Sequence, residues 1–478
     1  MRLEVGKFLR FEAPFLVRVT AGAALIAGLV GLSGCGATYR PVINSINPVG
    51  PSSQPQKYAV AISSPCSPES TSPTSPCSTG GLANATAGLG IVNIVDFSGD
   101  TLLATPNILA DPAYFAIAPG GGTGYVLHRN GQIDAFSISN LLQTRSVFQA
   151  TLPAGAIDPS SAKTPTIFAG NSFIYTTETG AGAQKIAVMT AAAPPALQQE
   201  FNILNPVYTV GRGGSARVYT LGQGATPGTS QGTALAIDTA NSTVSNTITV
   251  GVQPVYGVMN ADARRAFVLN KGDGTVSVIN TQTNALDSSA ALPSGTITVG
   301  ANPIWADVAT SINELAIVNA GDGVTNGSLS ILYIPLCNAI TVTGNATCDP
   351  NNPVDAVGFG TSLTANPVPV GVNPVMVAVL QDAKKAYVAN AGDGTVSVID
   401  MTTFTKVATI DLNATLAATG VNFADLNYIA ATGGTPTGKV YVTAAHSQKM
   451  AIISTNTDTV TTSIPLQGYG ISVLVTQP

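Results

Sequence analysis

The sequence predicts an all-β protein, a single β-propeller built from four-stranded antiparallel blades. Two observations lead to this prediction: one four-strand phrase recurs along the chain, and a lone strand, GISVLVTQP, ends it. A terminal strand that completes the first blade closes the ring and removes the open sheet edge. The composition agrees, since 49 glycines and only 9% charged residues suit many short strands joined by tight turns.

The repeated phrase is clearest in three segments, which begin at Gln253, Asn302 and Asn373. In each, a strand follows a proline, a second strand leads into a Gly-Asp-Gly turn, and a third and a fourth strand follow. The last segment shows this in AYVAN (386–390) and TVSVID (395–400). Asp-Gly supplies the positive φ that a tight hairpin requires, and Val, Ile and Tyr supply buried strands, so the phrase describes one propeller blade.

Looser matches extend the phrase over the rest of the chain. Eight units result: 57–110 completed by 470–478, 111–153, 164–203, 206–249, 253–299, 302–369, 373–412 and 423–466. Seven blades stay possible if one weak unit is an insertion.

The phrase resembles the repeat of the YVTN β-propeller family, which includes bacterial surface proteins, archaeal surface-layer proteins and lactonase-like propellers. The resemblance covers nearly all of the chain beyond its amino-terminal segment and is tightest in 253–299 and 373–412. A WD-repeat or kelch propeller fits less well, because the chain has one tryptophan and no recurring Trp-Asp pair.

The amino terminus reads as a processing signal. Four basic residues precede the apolar run TAGAALIAGLVGL, which is too short to span a bilayer comfortably. The run ends at Leu32-Ser33-Gly34-Cys35, which resembles the lipobox of bacterial lipoproteins, whose cysteine carries the lipid. An ordinary signal peptide or a marginal transmembrane anchor is the alternative.

The expected organisation is a lipoprotein signal peptide in 1–34, a lipidated tether rich in Pro and polar residues in 35–56, and the propeller in 57–478. We expect an exported protein that is anchored to a membrane of the cell envelope through lipid on Cys35. Gly36 stands where an aspartate would resemble an inner-membrane retention signal, which favours the outer membrane or the periplasm.

The other four cysteines form two pairs of equal spacing, Cys66 with Cys77 and Cys337 with Cys348. Both intervening segments are loop-like, and an exported chain meets an oxidising compartment, so we expect two local disulfides. The sequence alone permits three connectivities. A metal site is disfavoured because no histidine lies near either pair with zinc-site spacing.

Charge and missing motifs limit the function classes. Without residues 1–34 the chain keeps 16 basic and 23 acidic side chains, a net charge of −7, and its few Lys and Arg form no cluster that would bind nucleic acid. The sequence lacks a haem attachment motif, a nucleophile elbow, a zinc-protease motif and a phosphate-binding loop, so we expect no cofactor.

Isolated acidic and histidine residues look catalytic until the repeat is considered. Asp273, Asp322 and Asp393 lie in the Gly-Asp-Gly turns, and one carboxylate per loop falls short of the six to eight oxygens that calcium binds. Asp238, Asn280 and Asp400 each end a third strand, where a short polar side chain starts the next turn. The two histidines, His128 and His446, fall near hairpin tips, and we interpret them as solvent-exposed or satisfied by the turn.

One set of residues is a candidate ligand site. Two positions after the proline that opens a first strand, five units carry large side chains: Tyr114, Tyr208, Tyr256, Trp305 and Met376. First strands are innermost in a propeller, so these side chains form a ring that floors a central pocket for an apolar or sugar-like ligand. The alternative is that they wedge between neighbouring blades as core residues.

These observations favour a non-catalytic envelope lipoprotein, expected to be monomeric, whose propeller binds a protein, a glycan or a surface polymer. The alternative that the family resemblance implies is a lactonase-like or quinoprotein-like enzyme. One variant changed at His128, Asp134, Glu178 and Asp307 together distinguishes these two hypotheses. An activity that this variant loses would contradict the non-catalytic hypothesis.

Overall fold

The computed structural model describes residues 58–66, 88–142, 145–159, 163–182, 184–287, 292, 294–309, 311–335, 359–363, 367–416, 423, 425–435 and 438–476. The predicted signal peptide, the tether with Cys35, and Cys77, Cys337 and Cys348 lie outside the described residues. Cys66 follows the first strand, and the two disulfides stay predictions.

The described residues form eight four-stranded antiparallel sheets, which confirms the predicted propeller and its eight blades. The count of eight follows from the sheets themselves, so no weak unit is an insertion. From the axis outward, each blade consists of a first, second, third and fourth strand, in chain order except in blade 1.

Blades 1 to 4 contain the following strands. Blade 1 has β34 (Tyr469–Val475), β1 (Tyr58–Ser64), β2 (Leu89–Asp96) and an outer strand split into β3 (Thr101–Ala104) and β4 (Asn107–Ala110). Blade 2 has β5 (Pro112–Ile117), β6 (Thr123–His128), β7 (Gln132–Ser137) and β8 (Phe148–Thr151). Blade 3 has β9 (Ile167–Ala169), β10 (Phe173–Glu178), β11 (Lys185–Thr190) and β12 (Leu197–Asn202), and blade 4 has β13 (Pro206–Val210), β14 (Arg217–Gly222), β15 (Gln231–Asp238) and β16 (Thr243–Val252).

Blades 5 to 8 repeat the pattern. Blade 5 has β17 (Pro254–Met259), β18 (Arg265–Asn270), β19 (Thr275–Asn280) and a split outer strand, β20 (Ala285–Leu286) and β21 (Thr296–Thr298). Blade 6 has β22 (Pro303–Ala309), β23 (Glu314–Asn319), β24 (Asn326–Tyr333) and β25 (Val368–Val372). Blade 7 has β26 (Pro374–Val379), β27 (Lys385–Asn390), β28 (Thr395–Asp400) and β29 (Thr405–Asp411), and blade 8 has β30 (Leu426–Thr432), β31 (Lys439–Ala444), β32 (Lys449–Ser454) and β33 (Thr459–Pro465). Two short helices, α1 (Ile138–Leu141) and α2 (Leu412–Leu416), complete the described elements.

The carboxyl-terminal strand closes the ring. β34 pairs antiparallel with β1, from Ala59 opposite Val475 to Ser64 opposite Tyr469, and so supplies the innermost strand that the first unit lacks. Each innermost strand contacts the innermost strand of the next blade all the way round. The edge of β1 is therefore paired at the place where the two ends of the described chain meet.

The blades are held together by apolar side chains on their facing surfaces. The second and third strands are almost wholly buried, for example β18 and β27, and the apolar clusters lie between neighbouring blades. The Gly-Asp-Gly hairpins have the predicted geometry, with φ of +66° at Gly274, +75° at Gly323 and +68° at Gly394. Among the described residues, no helix has both the length and the apolar character needed to cross a membrane.

A bulge at the start of six first strands sets the direction of the residue that follows it. In blades 2 and 4 to 8, the register shifts between the first and the third residue of the strand, as between Pro254 and Tyr256. The residue before each of these strands has a left-handed backbone, such as Asn373 with φ of +47°. A bulge that follows a left-handed residue re-aims the next side chain, here the residue at the third position of the strand.

Candidate functional site

The predicted aromatic residues meet at the propeller axis. The ring centroids of Tyr256 and Trp305 are 3.9 Å apart and nearly parallel, and those of Tyr208 and Tyr256 are 4.6 Å apart. Trp305 also meets Tyr428 edge to face at 6.0 Å. Because Trp305 belongs to blade 6 and Tyr428 to blade 8, this contact reaches past blade 7 along the inside of the ring. We call Tyr114, Tyr208, Tyr256, Trp305 and Tyr428 the axial aromatic cluster.

The hydroxyl groups of the axial aromatic cluster also interact across non-neighbouring blades. Tyr114 of blade 2 interacts through its hydroxyl with Tyr428 of blade 8 and with Tyr208 of blade 4, and Tyr208 interacts with Tyr256. Burial raises the pKa of all four phenols, so they are neutral donors and acceptors at physiological pH. These four residues are nevertheless neither fully buried nor fully exposed.

The structure therefore combines the two alternatives that the sequence left open. The cluster members pack partly against the apolar clusters between blades, and they also converge on the axis and on one another. Stacking at 3.9 Å leaves no room for a ligand between Tyr256 and Trp305. A ligand therefore cannot insert between these two rings.

The proline pattern of the sequence identifies Met376 as a ring residue and does not identify Tyr428. Met376 is 8% exposed and packs between blades 7 and 8, where its Sδ accepts a hydrogen bond from the backbone N–H of Ile429 (3.5 Å). Tyr428 occupies the corresponding place in blade 8, but Leu426 stands where the first strands of blades 2 and 4 to 7 have a proline. Sequence reasoning anchored on that proline therefore missed Tyr428.

Asp307 places a carboxyl group beside the cluster, two residues after Trp305 on the same strand. Its Oδ2 accepts the backbone N–H of Val379 in blade 7 and its Oδ1 accepts that of Val308, both at 2.8 Å. Burial outweighs these two hydrogen bonds and raises the pKa of Asp307 to about 6. Asp307 also raises the pKa of Tyr256, so the two side chains are electrostatically linked.

The turn aspartates mostly bind backbone N–H groups. Asp273 accepts the N–H of Val252, and Asp393 accepts that of Val372, both at 2.9 Å and both at the end of the preceding blade's outer strand. Asp322 accepts the N–H groups of the two residues at 324 and 325 in its own loop. Asn280 and Asp400 likewise start the next turn, whereas Asp238 forms an ion pair with Arg217 at 2.7 Å.

The two histidines have different surroundings. His128 is fully buried. Its Nδ1 lies 2.9 Å from the carbonyl oxygen of Ala110, and its Nε2 lies 3.0 Å from Oδ2 of Asp134. His446 is partly exposed and lies 2.8 Å from Asp425. His128 and Asp134 therefore form one pair in blade 2, while Glu178 lies in blade 3 and Asp307 in blade 6.

Metal-ligating side chains do not gather in the part of the chain that the structure describes: no three His, Cys, Asp or Glu residues there come together as ligands.

Known proteins share the fold of this chain. No protein-family model matches it, and no curated protein matches it in sequence. Among solved structures it is similar to the dihydro-heme d1 dehydrogenase NirN in complex with DHE, with 11% identity over 86% of this chain and 79% of that one and a TM-score of 0.54. It is also similar to Sqt1 of Saccharomyces cerevisiae (9% identity, 75% and 86% covered, TM-score 0.52) and to AztD of Citrobacter koseri (12%, 88% and 98%, 0.41). At these identities the first two similarities support the fold, and a shared fold does not establish a shared function.

Proposed function

We propose that this chain is an exported envelope lipoprotein of the YVTN-repeat type whose propeller binds a glycan or other surface polymer without transforming it. The axial aromatic cluster carries this proposal. Flat aromatic faces beside phenol hydroxyls offer both the stacking surface and the hydrogen bonds that a sugar ring uses. The half-buried state of these side chains is consistent with a floor that a ligand covers.

Trp305 provides the test, because it is the only tryptophan of the chain and belongs to the cluster. Chitohexaose, cellohexaose and maltohexaose are titrated into the mature protein while Trp305 emission is recorded. We expect a saturable change of Trp305 emission with at least one of these glycans. The change should be lost in Tyr428→Ala, which removes one ring of the cluster and leaves Tyr256, the ring stacked on Trp305, in place. His446→Gln, a change outside the cluster, is the matched control. If Trp305 emission changes with an extract of envelope proteins and with none of the three glycans, the proposed glycan ligand is wrong.

The anchor is tested separately. Metabolic labelling with a radioactive fatty acid should mark the wild-type chain and leave Cys35→Ser unlabelled, and the unlabelled variant should leave the membrane fraction. A labelled Cys35→Ser protein would rule out the proposed lipid site.

One observation favours the alternative of a lactonase-like enzyme. Asp307 has a pKa of about 6 beside Tyr256, so it can exchange a proton near neutral pH at the axis. A panel of sugar lactones followed by proton release checks this: turnover that Asp307→Asn abolishes would replace the binding-only proposal.

A further inference from the structure

A buried polar pair recurs inside the blades. A residue near the end of the second strand reaches a side chain of the third strand, always at the same register, and we call these two residues the polar pair of the blade. Five blades have it as a hydrogen-bonded pair: Ser63 with Asn93 (2.8 Å), His128 with Asp134 (3.0 Å), Asn270 with Ser277 (2.9 Å), Asn319 with Ser330 (2.9 Å) and Asn390 with Ser397 (3.1 Å). Blades 4 and 8 have no polar side chain at either position: Gly222 with Leu235, and Ala444 with Ala451.

Each of the five pairs also binds the backbone of the preceding blade. The donor is an N–H group in the outer strand of that blade or two residues after it. The contacts are Gln467 to Asn93 (3.0 Å), Leu109 to Asp134 (2.7 Å), Gly251 to Ser277 (3.2 Å), Gly300 to Ser330 (3.3 Å) and Gly371 to Asn390 (3.1 Å). The polar pair is therefore a link between neighbouring blades. In four of the five blades it consists of Asn and Ser, which do not titrate.

Blade 2 has an ionisable version of this link. The side chains of His128 and Asp134 are both 0% exposed. Nδ1 of His128 lies 2.9 Å from the carbonyl oxygen of Ala110, in the outer strand of blade 1, and Nε2 lies 3.0 Å from Oδ2 of Asp134. Oδ2 also accepts the N–H of Leu109 at 2.7 Å, a short distance that is typical of an ionised carboxylate.

The two contacts of the His128 ring require two N–H groups. A carbonyl oxygen and a carboxylate oxygen are both acceptors, whereas a neutral imidazole has one N–H and one lone pair. Only the imidazolium, with a proton on each nitrogen, donates to Ala110 and to Asp134 at the same time. The link between blades 1 and 2 is thus complete only when His128 is charged.

The other charged groups near His128 are more exposed than Asp134. Asp111, the residue before β5, interacts electrostatically with His128 and with Arg129, whose Nε lies 3.7 Å from its carboxylate. The side chains of Asp111 and Arg129 are 55% and 35% exposed, so water screens both, and their opposite charges partly cancel at the ring. β4, which reaches His128 from blade 1, has the sequence NILA and no ionisable side chain. Asp134 is therefore the principal counter-charge of His128.

We propose that the link between blades 1 and 2 is a proton-sensitive latch, closed while His128 is an imidazolium and weakened when the ring loses a proton. After that loss, one ring nitrogen turns a lone pair toward an oxygen atom, and the buried carboxylate of Asp134 has no cation beside it. Blade 1 also contains β1 and β34, which close the ring. The latch consequently lies at the blade that joins the two ends of the described chain.

Hydrogen exchange followed by mass spectrometry tests the latch in the mature protein. Histidine ordinarily changes its charge between about pH 5 and 8, so exchange is measured from pH 5.5 to 9.5 and corrected for the intrinsic rate at each pH. Protection of the β4 peptide, which contains Leu109, should fall by about 10-fold or more as the pH rises. The peptide that contains Gly251 is an internal control, because its N–H binds Ser277 in the neutral version of the same link.

Two variants complete the experiment. The double variant His128→Asn, Asp134→Ser copies the pair of Asn270 and Ser277, and protection of its β4 peptide should not depend on pH. His446→Gln removes the other histidine of the chain and should keep the pH dependence of the wild type. In this single variant, nitrogen-15 spectra report His128 alone, and we expect two protonated ring nitrogens at pH 5.5 and one at pH 9.5.

Three results would overturn the proposal. They are a β4 protection that stays constant or changes only in parallel with that at Gly251, a double variant that keeps the pH dependence of the wild type, and a His128 ring whose protonation is the same at pH 5.5 and 9.5. The spectra use a chain in which the polar pair is intact, so they decide the question even if the double variant does not fold. The latch is independent of the axial aromatic cluster, and Trp305→Phe should leave it unchanged.

Discussion

Replacing Asp458 removes a bridge between two blades. Asp458 lies in the turn between β32 and β33 of blade 8, where its Oδ2 accepts from Nζ of Lys385 at 2.7 Å and its Oδ1 accepts from the Tyr387 hydroxyl at 2.6 Å. Both partners belong to β27 of blade 7. The bridge recurs between blades 8 and 1, where Lys439 donates to Asp100 at 2.6 Å, and a neutral version joins Tyr219 to Asn284.

The expected loss follows from burial and charge. The side chains of Lys385 and Asp458 are 20% and 18% exposed, so water screens their pairing only in part. Hydrogen bonds to charged groups contribute about 1.5–3 kcal/mol each, and the buried Tyr387 hydroxyl would lose its acceptor, so two such bonds amount to about 3 kcal/mol. Asp458 also has φ of +52°, which costs alanine about 1 kcal/mol more. Asp458→Ala should therefore lower the free energy of unfolding by about 4 kcal/mol.

Urea unfolding followed by Trp305 emission measures this loss. Asp458→Gly tolerates the left-handed backbone and should lose only about 3 kcal/mol, so the difference between the variants isolates the backbone. A double-mutant cycle with Lys385→Met isolates the ion pair. A loss under 1 kcal/mol in Asp458→Ala, or no coupling in the cycle, would refute the reasoning that these bridges hold the blades together.

Three further predictions address other parts of the molecule. Between its ordinary pKa of 4.5 and its raised pKa of about 8, native Glu178 holds a proton that the unfolded chain has released, so the group's contribution to stability falls by about 1.4 kcal/mol per pH unit. Glu178→Gln should remove this slope in urea titrations at pH 5 to 8, and an unchanged slope would place the proton elsewhere. Deleting 469–478 removes β34 and exposes the edge of β1, so the shortened chain should lose cooperative unfolding, whereas deleting only 477–478 should not. Tyr256→Ala should shift Trp305 emission to the red because water replaces the ring stacked on it, and Tyr256→Phe should leave the emission in place.

The fold was predictable because the sequence repeats itself. Eight units, the Gly-Asp-Gly hairpins and the role of the last strand all follow from a phrase whose turn residues and strand residues recur at fixed spacing. The exceptions lie where that spacing is lost: the outer strands of blades 1 and 5 each split into two segments. Outer strands are the most exposed strands of a blade, as β16 and β29 show, so they carry a weaker pattern of buried residues.

The axial site was predictable only in part. A proline two positions ahead led to Tyr114, Tyr208, Tyr256 and Trp305, but nothing in the sequence says that side chains of non-neighbouring blades meet across the axis. The burial of His128 was also missed, because a hairpin tip suggests exposure. Aligning the blades by register gives the signal that was available: His128 stands in the place of Asn270, and Asp134 in that of Ser277.

The same alignment separates structural polar residues from residues that need another explanation. Where neither member of the blade's polar pair is polar, as in Gly222 with Leu235, no buried polar side chain at these positions needs a partner. Where Asn and Ser become His128 and Asp134, the hydrogen bond is kept with different atoms. Glu178 alone changed to a larger, ionisable group while its partner became Ala187. A repeat protein thus carries its own control, since each blade shows how the same position is satisfied in the others; by that comparison Ala187 cannot satisfy Glu178, and the carboxyl group of Glu178 hydrogen-bonds with that of Glu200 in the outer strand instead.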